Sequence, residues 1–342
     1  MSSSTPFLSP SEAAKRLGVS TKALRLYEQR GLLIPTRSAA GWRAYGPGEM
    51  ARAAEIAALR ALGLSLAQVG RVLGGDAQDL EPALAAHQVR LEEQVRETTG
   101  VIEKVCRLRA DLAQGLLPTA GELTELRISA DLSVAFDLPW PWGGERFELR
   151  DIRPLTYITG PLGSGKTRLA HRIAETLPGA TFLGLERVEN GAKARAQLDA
   201  DPNLKARIDQ IRTWLAEDGA TISDALVSLL VELEAEGRSA FIIDMVEQGL
   251  DQVTQEALMA YLRGSGGSKP PLFLLTRSCA ILDLAAAGPD EAILYCPANH
   301  SPPIQVAPYP GAPGYEAVAT CLASPEVRAR TQGVIAWRPE VA

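Results

Sequence analysis

Residues 160–167 read GPLGSGKT, and their types suit one task, the holding of a phosphate chain. Gly160, Gly163 and Gly165 let the backbone turn its N–H groups inward around β- and γ-phosphate oxygens with no Cβ in the way. Pro161, Leu162 and Ser164 complete the loop; Lys166 brings a mobile cation to the same oxygens, and Thr167 offers a hydroxyl to Mg2+. Such a site wants an acid at the end of a buried strand, and the run FIID supplies Asp244, which can hold Mg2+ through its water shell. Glu247 is close enough in sequence to stand in as the group that orients an attacking water. Arg277 suits bidentate contact with a γ-phosphate, though an ordinary salt-bridged arginine reads the same way. The cofactors expected are ATP and Mg2+.

These residues need particular elements around them. LTYITG, 155–160, reads as a strand running straight into the loop, and a helix opening after it aims its N-terminal dipole at the anion. LRISADLSVAF (126–136) and ERFELRDI (145–152) read as earlier strands, separated by the turn-rich DLPWPWGG. An amphipathic helix with Ile222, Leu226, Leu229 and Leu233 on one face precedes FIID, and LFLLT (272–276) is a further strand. Trp140 and Trp142 can stack on adenine, but turn tryptophans more often pack. The basic stretch from Arg187 to Arg212 reads as a solvated helical face, with a lid over phosphates as the alternative. His300 has no ligand set around it and is assigned no role.

The N-terminal end is of another kind. Ser9-Pro10-Ser11-Glu12 is an N-cap, a first-turn proline and a reciprocal glutamate, and Gly18 stops the helix after Leu17. Ser20 caps a second helix to about Arg30, on which Lys22, Arg25 and Gln29 share a polar face while Leu24 and Tyr27 turn elsewhere. Two short helices joined by the turn GVS form a helix-turn-helix pattern. A two-stranded wing carrying Arg37, Arg43 and Tyr45 suits the segment that follows. A third helix is expected from about Glu49 to Leu62, and Ser65 with Gln68 opens a fourth that ends at Gly74-Gly75.

From Leu91, the positions Val95, Thr98, Ile102, Val105, Arg109 and Leu112 advance by alternating steps of four and three, a 3.5-residue seam. A helix over Asp79–Ala113 would be about 50 Å long and would need a partner. That partner is a second copy or the chain's own body.

Charge divides along the chain. Residues 1–75 hold ten Lys/Arg against four Asp/Glu, and the remainder 25 against 37, within an overall net charge of −6. A basic head on an acidic body fits a protein whose head alone meets nucleic acid. No apolar run approaches the roughly 18 residues of a membrane span, so a soluble, cytoplasmic protein is expected. Cys106, Cys279, Cys296 and Cys321 lie far apart, without the spacing of a metal site or disulfide framework.

The runs SEAAKRLGVSTKALRLYEQRGLL, GWRAYGPGEM and LRALGLSLAQVGRVL resemble the DNA-binding domain of the MerR family of bacterial regulators. The resemblance implies a winged helix-turn-helix that meets double-stranded promoter DNA through Arg25 and Tyr27 of the second helix and Arg37, Arg43 and Tyr45 of the wing, and the shared polar face adds Lys22. It also implies a homodimer through the 79–113 helix, and indirect action on RNA polymerase by distortion of the promoter. The body resembles a divergent ABC-type ATPase, with antiparallel strands before the P-loop and FIID followed by GLD. It departs from that pattern at Met245, where such ATPases place a glutamate, and in LAEDGATISDALVSLL, which lacks an LSGGQ-like signature.

The expected organisation is multidomain. A MerR-type winged helix-turn-helix spans 1–75, a coiled-coil dimerisation helix 76–114, a linker 115–124 and an α/β P-loop NTPase domain with preceding antiparallel strands 125–342. The function expected is a nucleotide-sensing transcription regulator with slow or no hydrolysis. A P-loop phosphotransferase or ATPase carrying a DNA-binding head, and a nucleotide-stabilised protein scaffold, stand as alternatives.

Overall fold

The computed structural model describes residues 7–37, 41–113, 117, 133–150, 152–188, 191–235, 237–264, 269–288 and 290–327. The expected linker 115–124, apart from residue 117, and the strand expected over 126–132 lie outside the described residues.

The head is built from capped helices. Helix α1, Pro10–Leu17, starts on the reciprocal Ser9–Glu12 box, and α2, Thr21–Gln29, starts on Ser20, whose side chain accepts from the Ala23 N–H. Strands β1, Thr36–Arg37, and β2, Arg43–Ala44, pair antiparallel as the wing. Helix α3, Pro47–Ala61, opens two residues before the expected Glu49: Pro47 takes the first turn, and the Glu49 carboxylate reaches back to the Gly46 N–H at 3.0 Å. Helix α4, Leu66–Leu73, opens on the Ser65–Gln68 box. Ala13, Leu24, Tyr27, Leu33, Tyr45, Ile56, Leu64 and Val69 form the core between these elements.

Helix α5, Leu80–Ala113, runs for 34 residues. Its seam positions Leu91, Val95, Ile102, Val105 and Leu112 are exposed, so no described part of the chain covers the apolar stripe.

The body opens with a hairpin of β3, Val134–Asp137, and β4, Arg146–Leu149. Then follow β5 (Leu155–Thr159), α6 (Lys166–Thr176), β6 (Ala180–Leu183), α7 (Gly191–Ala200), α8 (Pro202–Glu217) and α9 (Asp224–Leu233). The chain continues through β7 (Ala240–Ile243), α10 (Gln252–Gly264), β8 (Leu272–Leu275), β9 (Glu291–Tyr295), β10 (Ile304–Gln305) and α11 (Tyr315–Cys321). The six-stranded sheet has the order β10-β9-β5-β8-β7-β6, parallel except for the edge strand β10.

The central strands are buried on both faces, as a parallel sheet between layers requires. Alternation splits their side chains. Tyr157, Phe241, Ile243, Leu272 and Leu274 pack with the α8, α9 and α10 side, while Ile158, Ile242, Phe273 and Leu275 pack with α6 and the hairpin. Because β5, β7, β8 and β9 point the same way, the residues that follow each of them gather beyond one edge of the sheet, where ligands of such sheets bind.

Candidate functional site

The loop after β5 folds over Lys166. Its Nζ donates to the carbonyl oxygens of Gly160 at 2.9 Å and Pro161 at 2.6 Å, within a loop whose Gly163 and Gly165 have φ of 78° and 89°. Two glycines are required by space as well as by torsion. A Cβ on Gly160 would strike the carbonyl of Cys296 after β9, and one on Gly165 would stand 2.5 Å from Cη2 of Trp142. Burial pushes the Lys166 ammonium below its ordinary pKa, the buried Cys296 and nearby Asp244 act in the other direction, and Arg277 adds to the depression. An anion placed against Lys166 and Arg277 would reverse that depression.

Beside the loop, Thr167 Oγ1 donates to Asp244 Oδ2 at 3.1 Å, so the hydroxyl and carboxylate expected to share a cation already stand together. Asp244 is held from behind. Arg187, which is 4% exposed, donates through Nη1 to the carbonyls of Asp244 at 2.6 Å and Gly184 at 2.8 Å, and through Nη2 to that of Met245 at 2.6 Å. Its burial pushes the guanidinium below its usual pKa, while Asp244 and Glu247 support its charge. This corrects the expectation for Arg187, which lies beneath the site rather than on a solvated face. Met245 follows in the left-handed region at φ 45°.

Glu247 is buried, and its Oε1 accepts from the backbone N–H of Arg277 at 3.1 Å, across from β8. Its observed role is therefore to hold the start of the 277–283 segment. Arg277 is half-buried just past the end of β8, which pairs with β5. The tryptophans separate: Trp142 is buried against Gly165 and donates Nε1–H to the Ser301 carbonyl at 3.0 Å. Trp140 is exposed, with the Arg168 guanidinium 4.4 Å from its ring centroid. His300, assigned nothing from the sequence, places Nε2 3.1 Å from the Gly163 carbonyl. Its one sequence signal is its place a few residues past the β9 strand.

In chemical terms, the loop, Lys166, Arg277, Thr167 and Asp244 can hold a phosphate chain with a divalent cation. Lys166 and Arg277 supply positive charge, the loop supplies backbone N–H groups, and Thr167 with Asp244 supplies oxygens to the metal.

In the head, Arg25, Gln29, Arg37 and Arg43 are exposed. Arg43 Nε pairs with Glu28 at 2.7 Å. Tyr27 and Tyr45 are not on the surface: they are 5% and 1% exposed, and the Tyr45 hydroxyl donates to Glu28. Burial raises both phenol pKa values. Both rings pack in the head core, Tyr27 one turn after Leu24 on the face that the sequence spacing turns away from Lys22, Arg25 and Gln29. Lys22 is turned to the body, where Nζ donates to the Cys279 carbonyl at 2.7 Å and pairs with Asp283 at 3.7 Å.

Further contacts join head to body. The Asp218 carboxylate accepts the Leu66 N–H at 2.6 Å, at the start of α4, and pairs with Arg60 at 2.8 Å. Burial pushes this carboxyl above its ordinary pKa, while Arg60 and the Leu66 N–H pull it back. Arg30 donates to the Asp218 carbonyl at 2.7 Å, Ser65 to Glu217, and Trp214 Nε1 to the Gly63 carbonyl at 2.8 Å.

Comparison with known proteins identifies the head. The family model described as MerR HTH family regulatory protein matches residues 8–75. A probable heavy metal-dependent transcriptional regulator of Haemophilus influenzae is 33% identical over 102 residues, covering 28% of this chain and 80% of the relative. An uncharacterised HTH-type transcriptional regulator of Pseudomonas aeruginosa is 39% identical over 102 residues, covering 30% of this chain and 76% of the relative. Among solved structures, a MerR family regulator lacking the sensor domain, bound to promoter DNA, is 20% identical, with a TM-score of 0.27, covering 32% of this chain and 97% of that one.

Proposed function

Because the chain belongs, through residues 8–75, to the MerR HTH family of regulatory proteins, we propose that it is a dimeric, DNA-binding transcription regulator whose body is a nucleotide sensor. The observation that carries the sensor half is the convergence of Lys166, Arg277, Thr167 and Asp244 beyond one edge of a parallel sheet, with Thr167 Oγ1 3.1 Å from Asp244. Backbone N–H groups of 162–165, Lys166 and Arg277 bind the phosphates of ATP, and Thr167 and Asp244 hold Mg2+. When bound, the cation neutralises phosphate charge and orients the chain.

Hydrolysis is slow or absent in this reading. Met245 stands next to Asp244 with no acid to offer, and Glu247 is buried with one oxygen accepting the Arg277 N–H. The exposed seam of α5 is the surface through which two chains pair, which sets two heads at a fixed separation on a roughly palindromic site. Distorting a promoter costs on the order of 1–6 kcal/mol, so a modest ligand-linked change between head and body is enough to alter the outcome for polymerase.

The test is DNA binding by the full chain with and without ATP·Mg2+, beside Lys166→Ala. A nucleotide-dependent change in affinity or bending that Lys166→Ala removes is expected. Unchanged affinity and unchanged bending would overturn the sensor reading, and turnover at the rate of a transport ATPase would overturn slow hydrolysis.

A further inference from the structure

One flank of the recognition helix α2 is already occupied. Lys22, Ala23 and Leu26 line a cleft of about 640 Å³ between head and body, whose far wall includes Trp214, Ala280 and Asp283. Lys22 is fastened there by the Cys279 carbonyl and the Asp283 carboxylate, and Arg30, just past the end of α2, by the Asp218 carbonyl. At 100° per residue, Lys22 lies opposite the buried Leu24 and Tyr27, beside Gln29 and Leu26 on the outward face.

That placement conflicts with groove entry. A helix with its side chains is about 10–12 Å across and the major groove roughly 12 Å wide, so a helix reading the groove has no room for a second body along its flank. We infer that the body surface around Cys279 and Asp283, with Trp214, binds the recognition helix in competition with duplex DNA, so that head docking and DNA binding exclude each other.

Resting on the sensor reading above, the same surface connects to the phosphate site. Arg277, which follows β8 next to the strand β5 that leads into the loop, begins the segment that ends at Asp283. The segment is stiff: Ser278 Oγ donates to Gln255 at 2.6 Å, Cys279 N to the Ala323 carbonyl at 3.1 Å and Leu282 N to the Ser278 carbonyl at 3.0 Å. Ile281 and Leu282 are fully buried. A displacement of Arg277 is therefore carried to the groups that hold Lys22, and coupling of this kind is reciprocal.

The experiment measures affinity of the full chain for a duplex that it selects from a randomised pool, with and without ATP·Mg2+. Trp214→Ala loosens docking without a change of charge, Asp283→Asn removes the charged partner of Lys22 and leaves its bond to the Cys279 carbonyl, and Glu256→Gln neutralises a carboxylate of the same cleft that bonds Gln252 instead. Without nucleotide, Trp214→Ala and Asp283→Asn are expected to raise affinity, Asp283→Asn by roughly threefold, while Glu256→Gln leaves it unchanged. Their response to ATP·Mg2+ should shrink accordingly. Unchanged affinity in both variants overturns the inference, as does an equal rise in Asp283→Asn and Glu256→Gln with none in Trp214→Ala, which marks general charge. If the wild type ignores nucleotide while both variants still bind tighter, the sensor reading fails and the competition stands. Retained circular dichroism and thermal melting of each variant show that it folds.

Discussion

Replacing Gly165 by alanine tests the phosphate loop through its packing. The added Cβ would stand 2.5 Å from Cη2 of Trp142 and 3.0 Å from Cζ2 and Cζ3. The ring has little freedom to move aside, being 4% exposed and tied by Nε1 to the Ser301 carbonyl at 3.0 Å. Overpacking of this kind costs about 1–3 kcal/mol. An alanine at φ 89° adds about 1–2 kcal/mol of backbone strain. The sum is a loss of about 2–5 kcal/mol, read from urea midpoints at constant slope. Trp142→Leu in the same background removes the overlap and leaves the strain, so the double-mutant cycle should return a coupling of about 1–3 kcal/mol. ATP affinity of Gly165→Ala should fall at least about tenfold, because relief of the clash displaces the N–H groups of the loop. A single variant within about 0.5 kcal/mol of wild type, or a cycle with no coupling, would refute the packing argument.

Three further outcomes follow from other parts of the molecule. Arg187→Leu should cost about 3–5 kcal/mol and weaken Mg2+-dependent nucleotide binding, since it strips the donors from buried carbonyls at Gly184, Asp244 and Met245; Arg187→Lys should not restore them, because one ammonium cannot span the fork. Val95→Asp with Ile102→Asp should convert the dimer to monomer in sedimentation while shifting chemical stability of the single chain by no more than about 0.5 kcal/mol, as both side chains are exposed; a dimer that survives both changes counts against the seam. The Cys296 thiol is pushed up to about 12 by burial, opposed by Lys166, so at pH 8 only about one molecule in ten thousand carries the reactive thiolate. Iodoacetamide at that pH should leave Cys296 unmodified in the native protein and label it after denaturation, with native labelling rising only as pH nears the thiol's own pKa.

Much of the head was readable because helix starts are local. Ser9 with Glu12 and Ser65 with Gln68 each sit within one turn of their partner, and the sequence displays both members together. The glycines of 160–165 and the apolar stripe of α5 are likewise visible in one short run each, because they are patterns of spacing. The position of Asp244 just past β7 was legible because a buried strand followed by an acid is a short, continuous signal. Tyr27 shows what the period alone carries: 3.6 residues per turn puts it with Leu24 in the core, where the structure has it.

What stayed hidden depends on contacts between distant segments. Nothing near Arg187 in sequence announces that it will lie under Asp244 and Met245, and nothing near Trp142 announces Gly165. The clearest instance is LAEDG, noted first for lacking the signature of an ABC-type ATPase. Trp214, Glu217 and Asp218 from this part of the chain hold Gly63, Ser65, Leu66 and Arg60 of the head. Asp218 is 2% exposed, and a carboxylate so buried is tolerated only because Arg60 and the Leu66 N–H meet it there. Removing either half of that pairing strands a charge, so head and body separate at a cost unless water or another partner replaces the contact. This segment of the body therefore holds the head through its own polar side chains. Competition with a duplex requires that this docking be reversible, with the duplex taking the place of the body as the partner of the head.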